Sequence, residues 1–356
     1  MTGRRGRKIV FGKVLPYFLC IFCNICGGGL YLVSKVSMDK GMSRYVLVAY
    51  GYAFATPPTA LLAYLFERNN GCKLSIPILR NIFFLALLGS VFARTLFFMG
   101  IQCTNQSFAS AVANISPSIT FILAVLCRME GLEIRKLATQ AKIGGTVVSF
   151  IGATIMTLYK GINLISLHSH YSHQTSAAAS LKLSFDKDWI KGSIILVVSF
   201  FAFSAFYILQ TKTVEIYRAP MTLTALTCLL GTLVSAIMTA ILDHKADSWK
   251  LSWNISLLAP IYSGLVICGL VVYVQTLVIR KKGPVFMMAF SPLATVVSAI
   301  MGLLILGEPL HLGSVVGAIL IIIGLYAILW GKKKEEEKFE VEHCVSEQDI
   351  EIRPEK

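Results

Sequence analysis

Acidic and histidine side chains are missing from the long apolar stretches of this sequence. All 19 Asp and Glu residues and all 6 His residues lie between these stretches, at their ends or in the tail, and only Glu308 comes near the apolar core. An aspartyl protease, a Ser-His hydrolase or a metalloenzyme inside the apolar region would therefore lack its base or its ligands. A proton relay through buried carboxylates is disfavoured for the same reason. The sequence predicts no enzymatic activity, no cofactor and no metal.

Charge of either sign is scarce. Only 15% of the residues are charged, 55% are hydrophobic and the mean hydropathy is +0.69, so a soluble protein of 356 residues could not cover itself with polar surface. Runs close to the roughly 20 residues that cross a bilayer recur along the chain. We count ten, at 14–36, 45–65, 80–100, 106–127, 141–159, 190–210, 221–242, 256–278, 284–306 and 313–330.

These runs are too long and too continuous for barrel strands, and lipid offers the backbone no hydrogen bonds. We therefore predict an all-α integral membrane protein with ten transmembrane helices. A net charge of +14 could suggest nucleic acid, but no segment joins a basic face to interleaved aromatic residues. Instead, most Lys and Arg residues fall in the N-terminus, the even-numbered gaps and the tail. By the positive-inside rule both termini are cytosolic.

Two parts of the chain carry the same series of features. Ser116-Pro117, Glu130, Gly145 and Gly152 are followed by Ser291-Pro292, Glu308, Gly317 and Gly324. Each half has an odd number of spans, so the second half enters the membrane in the opposite sense: an inverted five-plus-five repeat. The predicted organisation is an N-terminus (1–13), a first repeat (14–160), a solvated outer connector (161–189), a second repeat (190–331) and a disordered cytosolic tail (332–356).

Arg94 is the one clear ionisable residue within a span. It could bind the carboxylate of a substrate, since ionisable groups in membranes are commonly functional. Alternatively its side chain could extend to the outer interface, which lies about six residues, or roughly 9 Å, away along the helix. That short distance favours the second interpretation.

The remaining candidates for a substrate pathway are neutral. Pro117 and Pro292 each remove a backbone donor and free a carbonyl one turn earlier. Ordinary hydrogen bonding between helices is the alternative for each polar residue, and the series Cys20, Cys23 and Cys26 fits helix packing better than a metal site. The candidates are Asn24, Tyr52, Arg94, Thr95, Asn114, Ser116, Tyr207, Tyr273, Gln275 and Ser291.

Several motifs resemble those of one known family. They include Gln140-Ala-Lys-Ile-Gly-Gly-Thr, Tyr273-Val-Gln-Thr, Phe290-Ser-Pro-Leu and Leu306-Gly-Glu-Pro-Leu-His-Leu-Gly-Ser. The chain resembles the plant walls-are-thin-related transporters, also called nodulin-21-like or UMAMIT proteins, in the EamA drug/metabolite transporter superfamily. The resemblance implies a ten-helix carrier that moves amino acids, often in both directions, with auxin handled by some members. It also implies the plasma membrane, or the tonoplast for some members.

Two positions depart from that family. Tyr50-Gly51-Tyr52 stands where many relatives have Tyr-Arg-His, and Ala93-Arg94-Thr95 stands where many have Asp-Gln-Asn. We therefore expect an alternating-access carrier of small organic solutes in a lipid bilayer, with amino acids preferred. Transport of auxin or another aromatic metabolite is the main alternative, and a non-transporting scaffold or sensor is a weaker one. No nucleic acid is expected as a partner, and a homo-oligomer stays open.

Overall fold

Helices occupy the described part of each of the ten predicted spans, which confirms the predicted fold class. The molecule is described by a computed structural model. Among the residues that the structure describes, seven helices are long and apolar enough to cross a membrane, and shorter apolar segments run through Val14–Leu30 and Ser116–Leu126. The described residues are 2–39, 41–67, 74–104, 109, 112–129, 136–158, 163–165, 187–243, 249, 257–301, 303–304 and 310–351.

Six of the spans contain a single long helix, and four are divided or only partly described. The single long helices are Thr2–Asp39 for the first span, Arg44–Glu67 for the second, Leu137–Leu158 for the fifth, Lys187–Ile216 for the sixth, Pro220–Leu242 for the seventh and Leu312–Glu351 for the tenth. The third is built from Ile76–Ala86, a π-helix at Leu87–Thr95, and Leu96–Cys103. The eighth has the matching order, Leu258–Ile261, a π-helix at Tyr262–Val271, and Val272–Lys282. Ser116–Leu126 belongs to the fourth span, and Pro284–Ala289 and Ser291–Met301 to the ninth.

Three segments outside the spans differ from expectation. The tail, predicted to be disordered, continues the last helix to Glu351, where runs of Lys and Glu three to four residues apart favour helix. At the other end, the first helix already begins at Thr2. Residues Asn163–Ile165 of the predicted connector form strand β1, which pairs antiparallel with β2 at Leu310–His311. Most of the connector, 166–186, lies outside the described residues.

The repeat is visible in how the helices pack. The fifth span lies against the tenth, the second against the seventh and the fourth against the ninth, so each of these pairs joins equivalent helices of the two halves. The first span packs on the eighth and ninth, and its counterpart, the sixth, packs on the third and fourth. The first and sixth spans have therefore changed places between the halves, as a two-fold relation between inverted repeats allows.

The repeated glycines explain the closest of these pairs. Gly145 lies opposite Gly324, and a Cβ atom on either residue would come within 2.5 Å of the other's carbonyl oxygen. Two turns away in each helix, a Cβ on Gly152 would lie 2.8 Å from the Gly317 oxygen. Missing side chains let two backbones touch, which is how helices associate where lipid provides no hydrophobic drive. The regularly spaced glycines of the fifth and tenth spans thus form a contact between the two halves.

Candidate functional site

A central cavity of about 220 Å³ lies where the two halves meet. The first, second, third, fourth, sixth, eighth and ninth spans all contribute to its wall. The predicted pathway residues that line it are Asn24, Tyr52, Arg94, Ser116, Tyr207, Gln275 and Ser291. Residues about 270 positions apart in sequence are therefore brought to one space by the fold.

Three predicted residues lie elsewhere. The Thr95 hydroxyl donates to the Ser90 carbonyl over 2.9 Å and is buried. Asn114 is 2% exposed, in the turn just before Ser116. Tyr273 packs against a small cluster formed by the second and seventh spans. None of the three is among the residues that line the cavity.

Helix breaks in the fourth and ninth spans flank the cavity. In each case a turn precedes the Ser-Pro pair, at Asn114–Ile115 and at Phe290, and a new helix begins with the serine. The prolines cannot donate to the carbonyls four residues earlier, at Ala113 and Met288, and both of those residues line the cavity. Two helix starts in equivalent positions thus direct partial positive charge and free polar groups toward one space.

The two serines at these starts differ in their partners. The Ser116 carbonyl accepts a hydrogen bond from the Ser204 hydroxyl over 3.3 Å, which ties the fourth span to the sixth. The Ser291 hydroxyl is buried, and no hydrogen-bond partner for it exists among the described residues. A buried hydroxyl without a partner costs free energy, so Ser291 can contribute a new hydrogen bond when a ligand enters.

Both π-helices also contribute residues to the cavity wall. Gly89 and Arg94 come from the first, and Ile267 and Val271 from the second. Wider turns of this kind are rare and occur frequently at functional sites. Hydropathy gave no sign of them, because the residue types within both segments fit an α-helix equally well.

Arg94 does not extend to the membrane interface, so the interpretation favoured from the sequence is wrong. Its Nη1 atom donates to Ser263 Oγ over 3.3 Å and to Cys268 Sγ over 2.9 Å, both on the eighth span. Its guanidinium carbon lies 5.4 Å from the centre of the Tyr52 ring, within cation–π range. These neutral partners hold the side chain inside the protein.

The cavity has two unlike sides. An aromatic wall comes from the third and sixth spans and consists of Phe97, Phe98, Phe200, Phe203, Phe206 and Tyr207. The first and ninth spans supply small and polar groups, among them Asn24, Gly27, Thr295 and Ser298. Arg94 is the only charged side chain among the described lining residues.

Of the aromatic wall, the sequence analysis named only Tyr207, although a signal for other members exists. Phe200, Phe203, Phe206 and Tyr207 recur at helical spacing along one face of the sixth span. Such a stripe is ambiguous in a membrane helix, since lipid and cavity are both apolar. Only the packing of the sixth span on the third shows that this face is turned inward.

A metal centre finds no support in the described part of the chain. No group of three or more His, Cys, Asp and Glu residues there could hold an ion. Cys20 instead lies buried with its sulfur 3.5 Å from that of Met287, and Cys23 and Cys26 pack in the same apolar cluster.

Comparison with known proteins identifies the family. The model of the EamA-like transporter family matches residues 14–158 and again residues 190–330. The chain belongs to the EamA-like transporter family. It is a multi-pass membrane protein, and the family's double match agrees with the repeated packing of this EamA-like protein.

Relatives with similar sequences come from a plant. A WAT1-related protein of Arabidopsis thaliana is 42% identical over 326 residues, which cover 90% of this chain and 81% of that protein. A second WAT1-related protein of Arabidopsis thaliana is 36% identical over 345 residues, covering 95% of this chain and 90% of that protein. One solved crystal structure shares the fold, with a TM-score of 0.66 at 14% identity, over 91% of this chain and 98% of the other.

Proposed function

We propose that this EamA-like protein is an alternating-access carrier of small organic solutes, that amino acids are its main substrates, and that it moves them in both directions. The observation that carries the proposal is the pair of broken helices, whose Ser116 and Ser291 starts meet at one central cavity. Discontinuous helices in equivalent positions of inverted repeats are the usual setting of a transporter's substrate site.

The groups around the cavity suit a small carboxylate-bearing solute. Arg94 and two helix starts supply positive charge for a carboxylate. The Asn24 amide donates its Nδ2 proton to the Cys20 carbonyl over 2.7 Å, which leaves its oxygen to accept from an ammonium group. No Asp, Glu or His residue is among the described lining residues, so we propose movement without a carboxylate proton relay.

The moving bodies we propose are not the two halves of the sequence. The first, eighth and ninth spans pack together, as do the third, fourth and sixth, and the cavity lies between these groups. Rocking of one group against the other would open the cavity to each side of the membrane in turn. The tightly packed fifth and tenth spans stand outside both groups.

A second candidate substrate class is an aromatic carboxylate such as auxin. The aromatic wall of the third and sixth spans favours it, because offset ring contacts would bind a planar substrate body. For the cellular setting we propose the plasma membrane, with the tonoplast as the alternative, and cytosolic termini, as the distribution of Lys and Arg suggests. A homo-oligomer is compatible with these proposals.

Uptake and efflux in oocytes test the function directly. Labelled neutral, acidic and basic amino acids and an aromatic monocarboxylate would be offered at two external pH values, with water-injected oocytes as controls. We expect flux of at least one carboxylate-bearing solute in both directions and little change with pH. Normal surface expression without any flux would support a scaffold or sensor instead, and strong stimulation by acid would contradict movement without proton coupling.

A further inference from the structure

The Nη1 atom of Arg94 is held by two acceptors that do not line the cavity. Ser263 Oγ and Cys268 Sγ both belong to the π-helix of the eighth span, and they accept hydrogen bonds from this nitrogen over 3.3 and 2.9 Å. Both residues are buried, at 4% and 1% exposure. The contact therefore joins the third span to the eighth through the cation itself.

The π-helix is what brings the two acceptors to the same side. Ser263 and Cys268 are five residues apart, and in an α-helix that spacing turns side chains about 140° away from each other. A π-helix bonds residue i to residue i+5, so residues five apart lie nearly one above the other. The third span uses the same spacing in its own π-helix, where the Thr95 hydroxyl reaches the Ser90 carbonyl.

One edge of the guanidinium has no hydrogen-bond partner among the described residues. Arginine carries five N–H donors, and the two on Nη1 are directed to Ser263 and Cys268. No further hydrogen bond of Arg94 exists among the described residues, and the side chain lines the cavity. The Nε and Nη2 donors form the edge that binds a carboxylate through two parallel hydrogen bonds.

We propose that Ser263 and Cys268 are positioning residues, which fix Arg94 so that its Nε–Nη2 edge receives the carboxylate of the transported solute. This inference rests on the proposed function and makes it specific: the substrate must carry a carboxylate, and its carboxamide must bind less well. The two acceptors act by aligning the guanidinium and do not touch the solute. Neutral acceptors suit this task, because a carboxylate in their place would compete with the substrate for the cation.

The test compares alanine variants of the two acceptors in the full-length carrier. For a carboxylate that the wild type transports, we expect Ser263→Ala with Cys268→Ala to raise KM about tenfold, the loss of roughly one charge-assisted hydrogen bond. Maximal flux per surface molecule should change little. Cys268→Ser alone keeps a hydrogen-bond acceptor at this position, so its KM should stay within about threefold of the wild-type KM. Inhibition by the corresponding carboxamide should not change.

Matched controls separate alignment from general damage. Cys20→Ala and Ser235→Ala remove a buried thiol and a buried hydroxyl that do not contact Arg94, and both should leave KM unaltered. An unchanged KM in the double variant, beside a raised KM in Arg94→Gln, would overturn the positioning role. If the double variant does not reach the surface, inhibition of wild-type transport tests the proposal. Equal inhibition by a carboxylate and by its carboxamide would contradict carboxylate binding at Arg94. Absence of any wild-type flux would instead overturn the proposed function.

Discussion

Glu67 ends the second span and ties it to the beginning of the seventh. Its carboxylate accepts hydrogen bonds from the backbone nitrogens of Met221 and Thr222, over 3.0 and 2.7 Å, and from the Thr222 hydroxyl over 2.8 Å. The first N–H groups of a helix have no partner within the helix, and a negative charge there is favourable. A single side chain thus caps a helix that begins more than 150 positions later.

Glu67→Ala should lower the free energy of unfolding by about 1–2 kcal/mol, the usual cost of removing a helix cap. Glu67→Gln should cost less, because the amide oxygen still accepts a hydrogen bond. Thermal unfolding of the purified protein in detergent measures the difference. Glu215→Ala is the control, since Glu215 is an exposed acidic residue at the end of the sixth span. A shift of equal size in the control would mean that the cap contributes nothing.

At the scale of elements, the contact between the fifth and tenth spans depends on two pairs of glycines. A Cβ on Gly145 would lie 2.5 Å from the Gly324 oxygen, in the backbone of the tenth span. Backbone atoms cannot rotate away from such a contact as the end of a flexible side chain can. On neighbouring Gly144, a Cβ would meet nothing within 4 Å. Of two adjacent glycines in one helix, therefore, Gly144 has room for a side chain and Gly145 does not.

Gly145→Ala should destabilise the protein by about 1–3 kcal/mol, because the helices must move apart to admit the methyl group. Gly144→Ala should be neutral or stabilising by up to about 1 kcal/mol, since alanine favours helix. The fraction that stays monodisperse after heating in detergent compares the two variants. Equal behaviour would show that close backbone contact does not hold this pair together.

The break in the ninth span gives a second prediction for an element. Pro292→Ala restores an N–H that can bond the Met288 carbonyl and join the two helical pieces, so transport should fall several-fold at unchanged surface expression. Pro57→Ala is the control, because Pro57 lies inside the second span, is exposed and does not line the cavity. Full transport by Pro292→Ala would show that the break is not needed.

For the whole molecule, the paired strands and one ion pair mark opposite ends. Strand β1 pairs with β2 just before the tenth span, and Glu335 lies about 35 Å further along that helix at 1.5 Å per residue. There its Oε2 atom is 2.8 Å from Lys142 Nζ, at the start of the fifth span. The two sites should therefore face opposite sides of the membrane.

Labelling of single cysteines tests this orientation. In a background in which Cys72, Cys103, Cys127 and Cys344 are replaced by serine, Asn163→Cys should react with an impermeant maleimide applied to intact oocytes. Glu335→Cys should react only after permeabilisation, and the background without either new cysteine is the control. The reason is the excess of Lys and Arg at the end that holds Glu335. The reverse pattern would place the termini outside, and labelling of both sites in intact cells would contradict a ten-span arrangement.

The sequence by itself determined the spans, the fold class and the existence of a repeat. These follow from local composition, because hydrocarbon forces each apolar run of about 20 residues to satisfy its own backbone as a helix. The Ser-Pro pairs also marked both helix breaks, since a proline's missing N–H acts on its own neighbours. Of the nine neutral residues that the sequence offered as pathway candidates, six line the cavity.

Only the tertiary structure decided which faces meet. The exchange of the first and sixth spans, the inward turn of the aromatic wall and the π-helices of the third and eighth spans depend on contacts between distant segments. Arg94 shows the physical reason. Its distance from the interface can be read along one helix, but the acceptors that draw it inward lie about 170 residues away. They reach it only because their helix is wound more widely.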